Sequence, residues 1–121
     1  MLRLSRFRKI SYIHTKPEMF QYLHSSHATI VDVRTTAENE AGSILARRLV
    51  HIPHTEVKVE LSLSEDEFLE KYGIDKPEKD QTLVLFCQAG VRSEVAANLA
   101  EEAGFTDVVN YKGGWKDWSA N

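Results

Sequence analysis

Two apolar stretches limit the architecture more than any other feature of this chain. "ATIVDV" (Ala28 to Val33) and "TLVLF" (Thr82 to Phe86) are continuous runs of β-branched and apolar residues, the pattern of strands buried on both faces of a parallel sheet. "KISYIH", "RLVHIP" and "DVVNY" are shorter strand candidates. Between these runs lie segments with helical signals. "PEMFQYLHS" places Pro17 in its first turn, where a missing N–H costs nothing. "SEDEFLEKYG" opens on the capping-box pair Ser64 and Glu67 and stops at Gly73. A third helix is expected from about Ser93 to Ala103, with Val95, Leu99 and the row Ala96, Ala100, Ala103 on its packed face and Gly104 as its stop. Strands alternating with helices predict an α/β domain.

The chain has 121 residues, 42% of them hydrophobic, which suits one compact domain with a core of its own. Its boundaries are read as a short basic N-terminal segment, 1–8, followed by a single domain, 9–121. No stretch approaches the roughly 20 apolar residues that span a bilayer, so no membrane partner is expected. Residues 1–16 hold Arg3, Arg6, Arg8, Lys9 and Lys16 and no acid, which leaves ten basic against eighteen acidic residues in the rest, a net charge of about −8. A body of that sign lacks the basic footprint that nucleic-acid binding requires. The basic start, with Ser5 and Ser11, has the composition of a mitochondrial presequence. Yet the first strand begins almost at once, so a cytoplasmic location is preferred, with a mitochondrial one as the alternative.

Cys87 is the only cysteine. It cannot form an internal disulfide, which favours a reducing compartment. It stands at the end of the apolar run "TLVLF", just ahead of a short loop that opens into a helix. A thiolate is the reactive form of cysteine and needs positive potential to exist at neutral pH. The carboxyl end of a parallel strand followed by a helix N-terminus supplies it. Residues Gln88, Ala89, Gly90, Val91 and Arg92 are too few for anything but a tight curl. Gly90 can take the backbone angles such a curl demands, and the successive amides can then turn inward as a nest around the sulfur. Arg92 adds a permanent charge, and no acidic residue interrupts the segment from Cys87 to Ser93. Free cysteine is also among the most buried residue types, so a packing role competes with this reading. The glycine, the arginine five positions on and the following helix favour chemistry. The histidines His14, His24, His27, His51 and His54 form no metal-ligand spacing with Cys87, so neither a metal nor a cofactor is expected.

These residues carry a family resemblance. "IVDVR" with "AENEAGSI", then "HIPH", "LFCQAGVRS" and "YKGGWKDW" resemble, in order, the signature segments of single-domain rhodaneses, from about Lys9 to Trp118. The segment "FLEKYGIDKPEKDQTLVLFCQAGVRS" is most similar to the small eukaryotic type that includes thiosulfate:glutathione sulfurtransferases. The resemblance implies a five-stranded parallel sheet with helices on both faces. It implies a Cys87 persulfide that takes sulfane sulfur from thiosulfate or a persulfide donor and passes it to cyanide, glutathione or a protein thiol. It also implies substrate contacts from Gln88 to Ser93, with Arg92 holding the anionic donor at the loop rim, and structural support from Asp32, Arg34 and Trp118. Ser43 stands where the family often has histidine, and the link "GSILARRLVHIPH" is longer than usual, which brings Arg47 and Arg48 into play as extra anion contacts. Two other functions remain open: a phosphatase or arsenate reductase of the same fold, disfavoured by the C-x4-R spacing, and a catalytically silent interaction module.

Overall fold

The computed structural model describes residues 10–120, so the basic segment 1–8 lies outside the described residues. Five strands form one sheet: β1 (Ser11–Ile13), β2 (Ala28–Asp32), β3 (Leu49–His51), β4 (Thr82–Phe86) and β5 (Asp107–Tyr111). The order is β1-β5-β4-β2-β3, and every pairing is parallel. The helices are α1 (Lys16–Leu23), α2 (Thr36–Ala41), α3 (Val57–Glu60), α4 (Glu65–Tyr72), α5 (Val91–Glu102) and α6 (Gly114–Ala120), with a single 3-10 turn (His54–Glu56) before α3. The expected five-stranded parallel α/β architecture is therefore the observed one. The 3-10 turn, α3 and α6 carry no strong sequence signal.

Side chains alternate across a strand, and in the central strand β4 this decides where the sulfur points. Leu83, Leu85 and Cys87 share one face, packed with Val57, Leu61, Phe68 and the small residues Ala96, Ala97 and Ala100 of α5. Val84 and Phe86 share the other, with Met19 and Leu23 of α1, Ile44, Trp115 and Trp118. Each fully buried Leu, Ile or Phe in these layers contributes roughly 1.5–3 kcal/mol by leaving water. The link from β2 to β3 packs Ile44 and Ala46 on the second face, whereas β4 leads into α5 on the first. Chain connections thus leave the adjacent strands β2 and β4 in opposite directions, which opens a crevice at their carboxyl ends.

Two expectations about the third helix are corrected. It begins at Val91 instead of Ser93, because Gly90 sits at its N-cap with φ of 89° and hands the chain directly into helical geometry. Arg92 and Ser93 therefore belong to the first turn of α5, not to the loop. Val95 does not face the core and is 46% exposed. The packed row is Ser93, Ala96, Ala97 and Ala100, since small side chains allow the helix to lie close to the sheet. The capping box, by contrast, forms as written, Ser64 with Glu67, and Gly73 stands in the left-handed region at the end of α4.

Arg47 and Arg48 are the third correction. Arg48 Nε donates to Thr29 Oγ1 at 2.9 Å and its Nη2 to the Asp75 carbonyl at 2.6 Å. Both arginines border a cleft with Ser26 and Asp75, at the amino ends of the strands. That is the side of the sheet opposite Cys87, because the link has already returned to the start of β3 when it reaches them.

Candidate active site

Cys87 follows the last residue of β4 and is only 1% exposed. Its Sγ accepts hydrogen bonds from the N–H of Gly90 at 3.1 Å and of Ser93 at 3.4 Å. Burial pushes the thiol pKa up, but the Ser93 hydroxyl and the N–H groups of Ser93, Ala89 and Gly90 outweigh it and leave the pKa below its ordinary value. Of the successive amides expected to turn inward, that of Gly90 meets the sulfur, joined by that of Ser93 in the first turn of α5. The curl itself is held from behind. The N–H of Trp115 donates to the Cys87 carbonyl at 2.8 Å and that of Lys116 to the Gln88 carbonyl at 3.1 Å, both from the first residues of α6. The side chains of Gln88 and Ala89 face outward.

Behind the sulfur lies a polar chain that sequence reasoning missed. Ser93 Oγ stands 3.4 Å from Cys87 Sγ and donates to Asn110 Oδ1 at 2.6 Å. Asn110 Nδ2 donates to the Gly90 carbonyl and to Glu94 Oε1, each at 3.2 Å. Tyr12 OH then donates to Glu94 Oε2 at 2.8 Å. A hydroxyl has one proton. While Ser93 gives it to Asn110, the neutral thiol donates to Ser93 Oγ; in the thiolate, the hydroxyl turns to the sulfur. Asn110 also ties the loop to β5. The signal for it was available: a polar residue inside the buried strand "DVVNY" must find partners.

Removing that hydroxyl should move the titration of the thiol. Ser93→Ala leaves burial and the amides in place but takes away one charge-assisted donor, so the Cys87 pKa rises. Thiolate is fully present above the pKa and lost as pH falls through it. The variant should therefore show its midpoint for alkylation by a neutral reagent at higher pH and react more slowly at pH 7. An unchanged midpoint would mean that the hydroxyl does not serve the thiolate.

Asp32 and Arg34 form a buried pair at the carboxyl end of β2. Arg34 Nε and Nη2 donate to Asp32 Oδ1 and Oδ2 at 2.9 and 2.8 Å, and Nη2 also donates to the Gly42 carbonyl at 2.6 Å. Asn39 and Ser43 each donate to Asp32 Oδ2 at 2.9 Å, which accounts for serine at position 43. Burial raises the Asp32 pKa, yet the hydrogen bonds from Arg34 and Asn39 prevail and lower it. The Arg34 guanidinium lies 4.8 Å from the Trp115 ring centre and 5.4 Å from that of Phe86. This pair anchors the wall between β2 and α6. Trp118 sits elsewhere: its ring meets Phe20 edge-on at 6.5 Å, with Lys16 Nζ 4.5 Å away. Trp115 occupies the supporting place expected of Trp118.

Arg92 is not a free cation. Its Nη1 and Nη2 donate to Glu38 Oε1 and Oε2 at 2.7 and 3.0 Å. Glu38 is also the capping-box acid of α2, accepting from the N–H and Oγ1 of Thr35 at 3.1 and 3.0 Å. The Arg92 guanidinium holds the Glu38 pKa down at about 2. Among the described residues, no three His, Cys, Asp or Glu side chains gather into a metal site.

The rhodanese-like domain family model matches residues 15–121. The chain belongs to that family. Among rhodanese relatives, the mouse "Thiosulfate sulfurtransferase/rhodanese-like domain-containing protein 3" is 40% identical over 105 residues, covering 86% of this chain and 66% of its own length. The human thiosulfate:glutathione sulfurtransferase is 36% identical over 103 residues, covering 84% of this chain and 88% of that protein. The structure of the human single-domain sulfurtransferase TSTD1 superposes with a TM-score of 0.76 at 32% identity, over 88% of this chain and 94% of that one. Against this rhodanese background, the likeness drawn from the five sequence segments is borne out.

Proposed function

We propose that this rhodanese domain is a sulfurtransferase that carries sulfane sulfur on Cys87. The observation that carries the reading is the sulfur itself, ringed by the Gly90 and Ser93 amides at the N-terminus of the 12-residue helix α5. In the first step the Cys87 thiolate attacks the outer sulfur of thiosulfate. An S–S bond to Cys87 forms, the S–S bond of the donor breaks, and sulfite leaves with the electron pair. The persulfide now bears the negative charge that the nest and helix dipole stabilise. In the second step a thiolate or cyanide attacks the outer persulfide sulfur, and Cys87 departs as thiolate. Glutathione is the acceptor we favour, on the likeness to the human thiosulfate:glutathione sulfurtransferase; a protein thiol is the other. Neither step requires a general base, because each nucleophile is already an anion, nor a general acid, because sulfite and the Cys87 thiolate leave as stable anions. Two displacements through one covalent intermediate give ping-pong kinetics.

The test is an assay of the full chain with thiosulfate and a panel of acceptors. Turnover with cyanide and glutathione, and none of comparable rate with an aryl phosphate, is the expected result. With only four residues between Cys87 and Arg92, the ring of amides is expected to be too tight for a tetrahedral phosphoryl group. Phosphate release rivalling sulfur transfer would overturn the reading, and inactivity with every donor would leave an interaction module. No helix among the described residues is long and apolar enough to cross a membrane. We place the protein in the cytoplasm, where a single free thiol stays reduced. Mitochondrial import of a fluorescent fusion of the full chain would reverse that placement.

A further inference from the structure

The rim cation is already spoken for. Arg92 gives two of its five N–H donors to Glu38, so the two side chains together carry no net charge, although the guanidinium lies within coulombic reach of Cys87. The pair is partly exposed, 28% for Arg92 and 34% for Glu38, and Arg92 lies in the first turn of α5, next to Ser93, whose N–H meets the sulfur. Other charges nearby offset one another in sign, Asp32 and Glu94 against Arg34 and Lys112. Glu94 is bonded to Tyr12 and Asn110, Asp32 to Arg34, and Lys112 carries its ammonium 5.5 Å from the Tyr12 ring centre.

We propose that Glu38 is a specificity-determining residue: by neutralising Arg92 it biases Cys87 against dianionic donors and towards sulfur donors of lower charge, such as small or protein persulfides. The inference rests on the sulfurtransferase reading for its substrate class, but its physical content is the charge at the mouth of the Cys87 site. A bare guanidinium would attract thiosulfate strongly; a guanidinium clamped to a carboxylate presents only a dipole, and its field falls off more steeply with distance. The clamp is rigid because the same carboxylate caps α2 through Thr35.

Glu38→Gln separates charge from structure. Glutamine still fills the capping box and still accepts a hydrogen bond from Arg92, while the rim gains one net positive charge. Because Cys87 is the only cysteine, the rim can be probed on the full chain by its alkylation rates with anionic iodoacetate and neutral iodoacetamide. The iodoacetate-to-iodoacetamide rate ratio should rise about 5-fold or more in Glu38→Gln and fall below wild type in Arg92→Ala, which leaves Glu38 uncompensated. In the wild type the ratio should not fall as salt is added, since there is no net positive rim to screen; this measurement stands whether or not a variant folds. An unchanged ratio in Glu38→Gln, or a steep fall with salt in the wild type, overturns the proposal. Alkylation needs no sulfur transfer, so the two readings fail separately. The expected ratios in a chain inactive with every sulfur donor keep the charge clamp and sink the sulfurtransferase reading. Sulfur transfer with an unaltered ratio does the reverse.

Discussion

Cys87→Ser is expected to abolish sulfur transfer, with activity down by at least about 10³-fold, while the chain folds as before. Oxygen in place of sulfur changes the side-chain volume little, and the Gly90 and Ser93 amides that now meet Sγ can equally donate to a hydroxyl. What disappears is the soft nucleophile, and no second cysteine can substitute for it. Intact-mass measurement after incubation with thiosulfate should show one added sulfur atom on the wild type, removable by cyanide, and none on the variant. Transfer surviving in Cys87→Ser, or a wild type that turns over without ever carrying sulfur, would defeat the covalent mechanism.

Gly114→Ala should be among the most destabilising single methyl additions to this domain, and it should damage the site as well. Gly114 has φ of 63°, and a Cβ there would lie 2.5 Å from the Cys87 carbonyl oxygen and 2.6 Å from that of Gln88. Both neighbours are backbone of the very loop that encloses the sulfur, so neither can rotate away. Steric displacement together with the left-handed conformation should cost about 3 kcal/mol. For a domain of this size that lowers Tm by roughly 10 °C or more. Pushing the two carbonyls aside also strains the bonds from Trp115 and Lys116 that hold the curl, so activity of the folded fraction should drop too. A variant melting within a degree or two of wild type would show that the loop yields more easily than its backbone contacts imply.

Much of the fold and part of the site were legible because they follow from local rules. The buried runs at Ala28 and Thr82 could only be inner strands, and the capping box at Ser64 marked a helix start that the chain respects. Cys87 before Gly90 was likewise readable, since a strand, a three-residue turn and a helix leave a sulfur at the helix N-terminus almost regardless of what surrounds them. Trp115 and Trp118 show where that legibility ended. Three positions apart in one short helix, they occupy different sites, one against Arg34 and the other against Phe20, and no spacing rule distinguishes them.

By itself, then, the sequence determined an α/β domain with parallel strands and one thiol poised at a strand end, because periodicity, caps and glycine placement act over a few residues and need no partner. Only the tertiary structure decided the electrostatics of that thiol. Arg92 meets Glu38 across 54 positions and Ser93 meets Asn110 across 17, while Arg48, read as an anion contact, is carried to the far end of the sheet. These outcomes depend on strand order: placing β4 between β2 and β5 sets α2 on one side of the sulfur and Asn110 on the other. A charge in a sequence has no partner until the chain has crossed over, so whether Arg92 stands free or neutralised is a property of the fold.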